Sequence, residues 1–244
     1  ILNQNKIKVN SDLLNKKAKS IYKSYIFSKN NNKPYVYGKL AISKDFYLKD
    51  KKNFYITNEH SLKTTHILRS KVNCILTSSK TINDDNPKLD CRIEGLSRYS
   101  PYVAIIDKNL KIKKNSFLIN NAKKNKTFLF YNVINNNKIK YLQSKKIKLI
   151  YTPLFNHKLD FNFILRKLYM NEVSSLLIEG GKTLISSLLK DNYFNEFYLF
   201  VSPQRLKNRG ILKMKYIKQS LSSKFKKNKV NETFLYKDNL IHYY

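Results

Sequence analysis

The sequence is poor in the residues that hold small secreted or metal-bound folds together. Its 244 residues include two cysteines, Cys74 and Cys91, and neither belongs to a CxxC pair or a Cys/His cluster. A disulfide framework or a structural zinc site is therefore not expected, and we predict no metal site. Tryptophan is absent, and glycine and proline number only five each. Against that background, the adjacent glycines at positions 180 and 181 stand out.

Long apolar runs are also missing. No stretch approaches the roughly 20 apolar residues that a membrane-spanning helix needs, and the N-terminus lacks the pattern of a signal peptide. We therefore expect a cytoplasmic protein with no membrane partner. The length is compatible with one large α/β domain or with a domain plus an appendage, and we expect one main domain.

Acidic residues are scarce relative to basic ones. Asp and Glu number 16, Lys and Arg number 48, and the formal net charge is +32 at pH 7. Such a charge is typical of nucleic-acid binding, but the lysines are scattered among Asn, Ile and Tyr and form no basic tail. We read the charge as a compositional bias and keep a non-catalytic nucleic-acid-binding module as an alternative. The charge should still attract phosphorylated small molecules.

Residues 175–190, SLLIEGGKTLISSLLK, are the most informative stretch. An apolar run meets Glu179, the pair Gly180 and Gly181, and then a helical pattern, which predicts a buried strand, a tight turn and a helix. Paired glycines permit positive φ and a close backbone approach. A helix N-terminus favours a phosphate, although a plain turn would have the same composition. Glu179 should lie at the carboxyl end of the strand, where open α/β sheets bind ligands.

Residues 78–92 form a second polar stretch, rich in Ser, Thr, Asp and turn-forming residues. This composition predicts a loop and not a helix. A surface connection is the ordinary interpretation, but long loops after a buried strand often carry function.

Apolar strand patterns alternate with helical ones. Strands are predicted at 35–42, 74–77, 102–106, 126–131, 147–152, 175–179 and 196–201, with helices after Asn58, over 161–170 and after Gly181. A hairpin is predicted from strands at 233–236 and 240–244. Loops are predicted at 46–52, 120–126, 135–146 and 224–231. The pattern indicates an α/β fold with a mostly parallel central sheet, an antiparallel C-terminal hairpin and helices on both faces.

Residues 1–33 are predicted to be a separate unit. Ser11 is a candidate N-cap for one amphipathic helix, which the run 30–34 (NNNKP) should end. A single helix cannot form its own core. Its apolar face must therefore pack on the main domain, residues 34–244, or on a preceding segment.

Several motifs together resemble a known family. They are KLAISKD at 39–45, YIT at 55–57, ILTSSKTINDDNPKL at 75–89 and LLIEGGKTL at 176–184. In this order and spacing they resemble the reductase domain of bacterial bifunctional riboflavin-biosynthesis deaminase/reductases, over residues 34–244. Residues 1–33 resemble the end of the deaminase domain that precedes it. The zinc motifs of that deaminase, H-x-E and P-C-x-x-C, are absent from this chain.

The resemblance implies a dihydrofolate-reductase-like fold and a homodimer. It implies NADPH-dependent reduction of 5-amino-6-(5-phosphoribosylamino)uracil, with hydride delivered to C1′ so that the ribosyl group becomes ribityl. A related domain reducing another pterin or pyrimidine is an alternative, although two arginines suited to a sugar phosphate favour the first substrate.

The family pattern also assigns candidate site residues. Predicted substrate-binding residues are Arg69, Leu89, Arg92 and Glu179. Predicted cofactor-binding residues are Ala41, Tyr55, Thr81, Asp85, Gly180, Gly181, Lys182, Thr183 and Leu184, with the phosphate cradle spanning 181–187. Predicted catalytic residues are Lys39, Asp85 and Glu179.

Lys39 is the candidate proton donor or ligand of the C1′ oxygen, because an ammonium stabilises a developing alkoxide. The alternative is an ordinary strand lysine with its charge in solvent. The chain departs from the family at Phe46, where a glycine is usual, and at Asn53 and Lys108, where serines are usual.

Overall fold

The computed structural model describes residues 3–5, 8, 13–53, 55–231 and 235–244. The strands are β1 (Tyr35–Ile42), β2 (Tyr47–Asp50), β3 (Cys74–Ser78), β4 (Tyr102–Ile106), β5 (Thr127–Tyr131), β6 (Lys148–Tyr151), β7 (Leu154–Phe155), β8 (Lys158–Leu159), β9 (Ser175–Glu179), β10 (Glu196–Val201), β11 (Gly210–Lys213), β12 (Asn228–Asn231) and β13 (Asn239–Tyr243). The α-helices are α1 (Asn15–Ile21), α2 (Lys23–Asn31), α3 (Glu59–Ser70), α4 (Ser79–Asp85), α5 (Phe117–Asn120), α6 (Asn136–Ser144), α7 (Phe161–Tyr169), α8 (Lys182–Lys190) and α9 (Ile217–Lys224).

A sheet of nine strands, in the order β12-β13-β10-β1-β9-β3-β4-β5-β6, forms the centre of the fold. Neighbouring strands from β10 to β6 run parallel. Strand β13 pairs antiparallel with β10 and with β12. The predicted α/β class, with a mostly parallel sheet and an antiparallel edge, is confirmed.

Helices cover both faces of the sheet, as predicted. Strand β1 alternates between buried and half-buried residues, because successive side chains of a strand point to opposite faces. On one face, helices α7, α8 and α9 contribute Leu168, Ile185 and Leu221 to the larger core. On the other face, α4, α5 and α6 supply a second core that includes Ile82 and Leu142.

Three predicted loops contain regular structure. Residues 79–85 are helix α4, because Ser78 caps it by accepting a hydrogen bond from the Thr81 amide and Ile82 is buried. Residues 136–144 are helix α6, where Asn135 caps the first turn and Leu142 is buried. Strand β2 replaces the loop expected after β1 and pairs antiparallel with β11. In each case local capping or strand pairing outweighs the polar composition.

The C-terminal hairpin exists, but its first strand was wrongly placed. Strand β12 lies at 228–231, inside the stretch predicted to be a loop, and pairs with β13. Of the predicted strand at 233–236, residues 233 and 234 lie outside the described part of the chain, and Leu235 and Tyr236 are not in a strand. Tyr236 has positive φ, which a strand does not allow.

In the described part of residues 1–33, two α-helices replace the single helix predicted, and a short 3-10 helix at Asn3–Asn5 precedes them. Helices α1 and α2 are separated at Tyr22, and the predicted N-cap Ser11 lies outside the described residues. Helix α2 ends at Asn31, where Asn32 is left-handed with φ 52°. The apolar side chains of this unit are largely exposed, with Leu13 at 83% and Ile21 at 67%. No helix in the described ranges has the length and apolar character that a membrane crossing requires.

Candidate active site

A cavity of about 420 Å³ opens at the carboxyl ends of β1 and β9, beneath α3 and α4. Eleven of the predicted site residues line it: Lys39, Ala41, Tyr55, Arg69, Thr81, Asp85, Leu89, Arg92, Glu179, Gly180 and Gly181. The polar stretch after β3 and the diglycine turn therefore face the same space. Because the carboxyl ends of adjacent parallel strands meet at one edge of a sheet, residues distant in sequence converge there.

Two charged side chains at the base of the cavity are placed by strand register. Lys39 of β1 and Glu179 of β9 are direct partners across the parallel pair, so both side chains lie on the same face of the sheet. Gly38 precedes Lys39 because a Cβ there would lie 2.2 Å from Cδ2 of Phe197. The main-chain positions of Lys39 and Glu179 are therefore fixed by the core of the sheet.

Arg69, at the end of α3, holds the Glu179 carboxylate with two hydrogen bonds. Its Nε donates to Oε1 at 2.7 Å and its Nη2 donates to Oε2 at 2.9 Å, while Nη1 donates to the carbonyl of Asp90 at 3.1 Å. Only 12% of each side chain of the pair is exposed. This bidentate geometry is the strong form of an ion pair. Arg69 and Glu179, both predicted to bind substrate, thus also bind each other.

The charges around Glu179 shift its pKa and those of its neighbours. Burial acts to raise the pKa of Glu179, but the charge and hydrogen bonds of Arg69, with a further contribution from Lys39, lower it. Burial lowers the pKa of Lys39, an effect that Glu179 opposes and Arg69 reinforces. Glu179 is therefore ionised at neutral pH, and the Lys39 ammonium gives up its proton more readily than an exposed lysine does.

The ammonium of Lys39 lies at the wall of the cavity, beside an aromatic ring. Its Nζ lies 5.3 Å from the centroid of the Phe200 ring, and the side chain lines the cavity. Within the described residues, no hydrogen bond to this Nζ is present. An ammonium that is partly dehydrated and faces a cavity can donate to a ligand oxygen.

The diglycine turn leads directly into α8. Neither glycine uses positive φ, contrary to the sequence interpretation: Gly181 has φ −77° and ψ 178°, and among the described residues Gly95 is the glycine with positive φ. The room available for a Cβ atom at each position explains the two glycines better. A Cβ on Gly180 would lie 2.8 Å from Cδ2 of Leu184, whereas one on Gly181 would meet no protein atom within 4 Å. The space beside Gly181 is thus open, and no side chain caps the first turn of α8.

The remaining predicted residues lie at the sides of the cavity or beyond it. Thr81 Oγ1 lies 3.1 Å from Ser78 Oγ, and Asp85 forms an ion pair with Lys49 of β2. Leu89 is buried and left-handed, with φ 53°. Lys182, Thr183 and Leu184 do not line the cavity but continue from it along the first turn of α8.

The family model of the RibD C-terminal domain matches residues 34–230. The chain belongs to the RibD C-terminal domain family. No group of three or more His, Cys, Asp and Glu side chains able to hold a metal ion occurs in the described part of this family member.

Relatives of the RibD family match most of the chain. The riboflavin biosynthesis protein RibD of Aquifex aeolicus is 27% identical over 176 residues, which are 71% of this chain and 48% of that protein. The chain thus spans about half the length of this relative. The 5-amino-6-(5-phosphoribosylamino)uracil reductase of Buchnera aphidicola (subspecies Acyrthosiphon pisum) is 26% identical over 70% of this chain and 88% of that protein.

A solved RibD structure has the same fold. Acinetobacter baumannii RibD superposes with a TM-score of 0.78 at 17% identity, covering 99% of this chain and 66% of that one.

The departures from the family pattern have visible local consequences. Phe46, where the resemblance leads us to expect a glycine, has a left-handed backbone with φ 71°. Asn53 donates to Asp50 Oδ2 at 3.2 Å, and Lys108 Nζ donates to the carbonyl of His157 at 2.8 Å.

Sequence reasoning missed Lys49, His66 and Asp90. Lys49 lies among several lysines, and nothing in the sequence distinguishes it. Asp90 acts through its main-chain carbonyl, and the position of that carbonyl depends on the fold and not on the residue type. His66 had a usable signal, because it precedes Arg69 by one helical turn and therefore lies on the same face of α3.

Proposed function

We propose that this chain reduces the ribosyl group of 5-amino-6-(5-phosphoribosylamino)uracil to ribityl, with NADPH as the reductant. The observation that carries the proposal is the single cavity shared by the Lys39 and Glu179 pair, Arg92 and the uncapped N-terminus of α8. The Buchnera relative is named as a reductase of this uracil compound, which supports the choice of substrate.

The residues around Gly181 fit the phosphates of a dinucleotide. The open space at its missing Cβ lets an anion approach the main chain, and the first turn of α8 offers N–H groups and the positive end of the helix dipole. Ala41, Tyr55, Thr81 and Asp85 line the cavity between this turn and the pair at its base. These residues would hold NADPH, whose chemistry when bound would be the supply of a hydride.

The chain's own residues bind and orient the sugar. Arg92 is half exposed at the cavity wall and can donate to the sugar phosphate. Arg69 keeps Glu179 ionised and in place, leaving carboxylate lone pairs for ribose hydroxyls or the pyrimidine. Lys39 stabilises the negative charge that develops on the oxygen released at C1′, and its lowered pKa lets it give that oxygen a proton.

The activity test follows NADPH absorbance with purified protein and the aminouracil ribosyl phosphate. We expect oxidation of one NADPH per ribityl product, and no oxidation when dihydrofolate replaces the substrate. Equal turnover of dihydrofolate would support the pterin alternative. Absence of both turnover and NADPH binding would contradict the proposal.

Gly181 provides a separate test of the cofactor site. Gly181→Ala is compatible with φ −77° and meets no protein atom, so the thermal midpoint should stay the same or rise slightly. The added methyl group occupies the space proposed for phosphate, so the Kd for NADPH should rise about tenfold. Calorimetry and thermal unfolding measure the two effects. Unchanged NADPH affinity in this variant and in Gly181→Val would place the cofactor elsewhere.

We further propose that residues 1–33 are the end of a preceding deaminase domain and that the reductase domain, residues 34–244, forms a homodimer. The exposed apolar side chains of α1 and α2 support the first proposal, as does the 99% coverage of this chain by Acinetobacter RibD, which exceeds the family match. The coding sequence upstream of Ile1 tests it, and light scattering tests the dimer.

A further inference from the structure

His66 contacts the proposed substrate-binding arginine from inside the cavity. It lies on α3, lines the cavity, and is half-buried. Its Nδ1 lies 3.0 Å from the carbonyl oxygen of Asp90, and its Nε2 lies 3.3 Å from Nη2 of Arg92. The Arg92 amide nitrogen is 3.3 Å from Nδ1. Both ring nitrogens therefore face the 90–92 segment.

These contacts determine which nitrogen carries the proton. With the proton on Nδ1, the ring donates to the Asp90 carbonyl and accepts from the Arg92 guanidinium, and both hydrogen bonds form. With the proton on Nε2, one hydrogen bond forms, from the Arg92 amide to Nδ1. The Nε2–H then faces the Arg92 guanidinium, and the Nδ1 lone pair faces the Asp90 carbonyl oxygen, so both of these contacts are repulsive. The first tautomer makes two hydrogen bonds where the second makes one. Its single repulsive contact is between its own Nδ1–H and the Arg92 amide, against two repulsive contacts in the second tautomer.

Arg92 stands between two cavities, so its orientation matters. It lines the cavity that contains Lys39 and Glu179, and also a neighbouring one of about 750 Å³ bounded by Glu94, Arg98 and Asn121. Asp90 holds the Nε end of the guanidinium at 3.4 Å, and His66 holds Nη2. His66 lines only the first of these cavities.

We propose that His66, neutral and protonated at Nδ1, is a positioning residue that holds Arg92 toward the cavity of Lys39 and Glu179, and that protonation of His66 releases Arg92. The proposal rests on the proposed function, in which Arg92 binds the phosphate of the substrate. Protonation removes the Nε2 lone pair and places an N–H and a second positive charge against the guanidinium. The enzyme should therefore lose affinity for its anionic substrate in acid.

The surrounding charges favour the neutral ring. Burial lowers the pKa of His66, Arg69 on the same helix and Arg92 lower it further, and Asp90 opposes them through its carbonyl hydrogen bond and its charge. Glu179 on β9 also interacts with the ring, but Arg69 neutralises that carboxylate. The ring is then neutral near pH 7 and becomes protonated only as the pH falls below its ordinary value of about 6.5.

Two substitutions separate positioning from a general structural role. His66→Gln retains an acceptor near the Nε2 position and does not titrate, whereas His66→Ala has neither property. We expect His66→Ala to raise KM for the ribosyl phosphate about fivefold with little change in kcat, as for the loss of one hydrogen bond. We expect His66→Gln to keep the KM measured at pH 7.5 and to lose the rise in KM that the wild type shows toward pH 5.

The double variant with Arg92→Ala is the control. If His66 acts through Arg92, His66→Ala has no further effect on KM in that background. A full additional fivefold effect there, or identical KM and pH profiles for the Ala and Gln variants, would overturn the proposal.

Nitrogen NMR of the His66 ring provides a readout that does not depend on turnover. We expect the Nδ1–H tautomer at pH 7.5 and a pKa below that of a free imidazole. A wild-type protein without reductase activity would refute the proposed function but leave this measurement intact. The Nε2–H tautomer, or a ring charged at pH 7.5, would refute the positioning role by itself.

Discussion

At the scale of single residues, Lys39 combines three properties that an alkoxide-stabilising group needs. It faces a cavity, its pKa is lowered by burial, and the register between β1 and β9 places its Cα beside that of Glu179. No loop movement is required to bring it next to Glu179. A lysine in a flexible loop would pay an entropic cost for the same geometry.

Replacement of Lys39 tests this role directly. We expect Lys39→Met, which keeps the aliphatic stem and removes the ammonium, to lower kcat about 100-fold with little change in the Kd for NADPH. Lys44→Met, at an exposed lysine of the following turn, is the matched control and should retain activity. Steady-state kinetics and calorimetry measure both. A Lys39→Met enzyme with wild-type kcat would remove Lys39 from the mechanism.

At the scale of secondary-structure elements, the turn between β1 and β2 combines a well-bonded aspartate with a strained phenylalanine. Asp45 accepts hydrogen bonds from the Ser43 hydroxyl and from the amides of Leu206 and Lys207. Burial acts to raise the pKa of Asp45, but these hydrogen bonds outweigh it and hold the pKa at about 2. Phe46, which follows, has φ 71°, in a region that glycine adopts without strain.

A pair of substitutions isolates the strain at Phe46. Both Phe46→Gly and Phe46→Ala remove the ring, which packs on the larger core, so the difference between them reports the backbone alone. We expect the Gly variant to be more stable than the Ala variant by about 1 kcal/mol, because Ala is strained in the left-handed region. At most backbone positions the Ala variant is the more stable of the two, so the expected order is reversed here. Urea unfolding of both variants measures the difference in stability. If Ala were the more stable, the turn would not be strained in solution.

The same scale shows what the sequence could predict. Strands β1, β4 and β10 were predicted with their observed bounds, because unbroken or alternating apolar residues identify buried strands. Helices α4 and α6 were not, because each has few buried residues and depends on its capping side chain. Strand β12 has the sequence NKVN, and only its pairing with β13 identifies it as a strand.

For the site, the sequence predicted eleven of the residues that line one cavity but not how they are paired. Family motifs led to Arg69 and Glu179, yet their mutual ion pair depends on how α3 packs against β9. Contacts to a main-chain carbonyl, such as that of Asp90, have no sequence signal.

At the scale of the whole molecule, the N-terminal unit is attached to the sheet through a buried carboxylate. Glu196, at the start of β10, is 2% exposed. It accepts hydrogen bonds from Lys23 of α2, from the Tyr35 hydroxyl at 2.7 Å and from His242 Nε2 at 2.8 Å. Burial acts to raise the pKa of Glu196, but the hydrogen bonds from His242, Lys23 and Tyr35 lower it to about 2.

Acid should therefore weaken the fold through this group. Because the folded-state pKa lies below the unfolded value of about 4.3, Glu196 contributes stability above that value and loses it as the pH falls toward 2. We expect Glu196→Gln to be less stable at pH 7 and to show a smaller loss of stability between about pH 5 and pH 3. Chemical unfolding across this range measures both. Parallel pH profiles for wild type and variant would contradict the assignment.

Lys23 tests the attachment itself. We expect Lys23→Met to lower the free energy of unfolding by about 1 kcal/mol and to speed tryptic cleavage within α1 and α2. The control is Lys19→Met, at an exposed lysine, which should change neither the stability nor the cleavage rate. Unchanged cleavage in both variants would show that other contacts hold α2 in place.

The register that pairs Lys39 with Glu179 also bears on how such a domain can diversify. Lys39 and Glu179 lie on neighbouring strands of one sheet, so their Cα atoms keep their spacing when the segments around the cavity change. The polar stretch at 78–92 and the turn before β2 can then vary while Lys39 and Glu179 keep their places. Under the proposed function, such variation would change which pyrimidine is bound. Substitutions in the segments around the cavity should accordingly change substrate specificity. Substitutions of Lys39 or Glu179 should abolish the reaction.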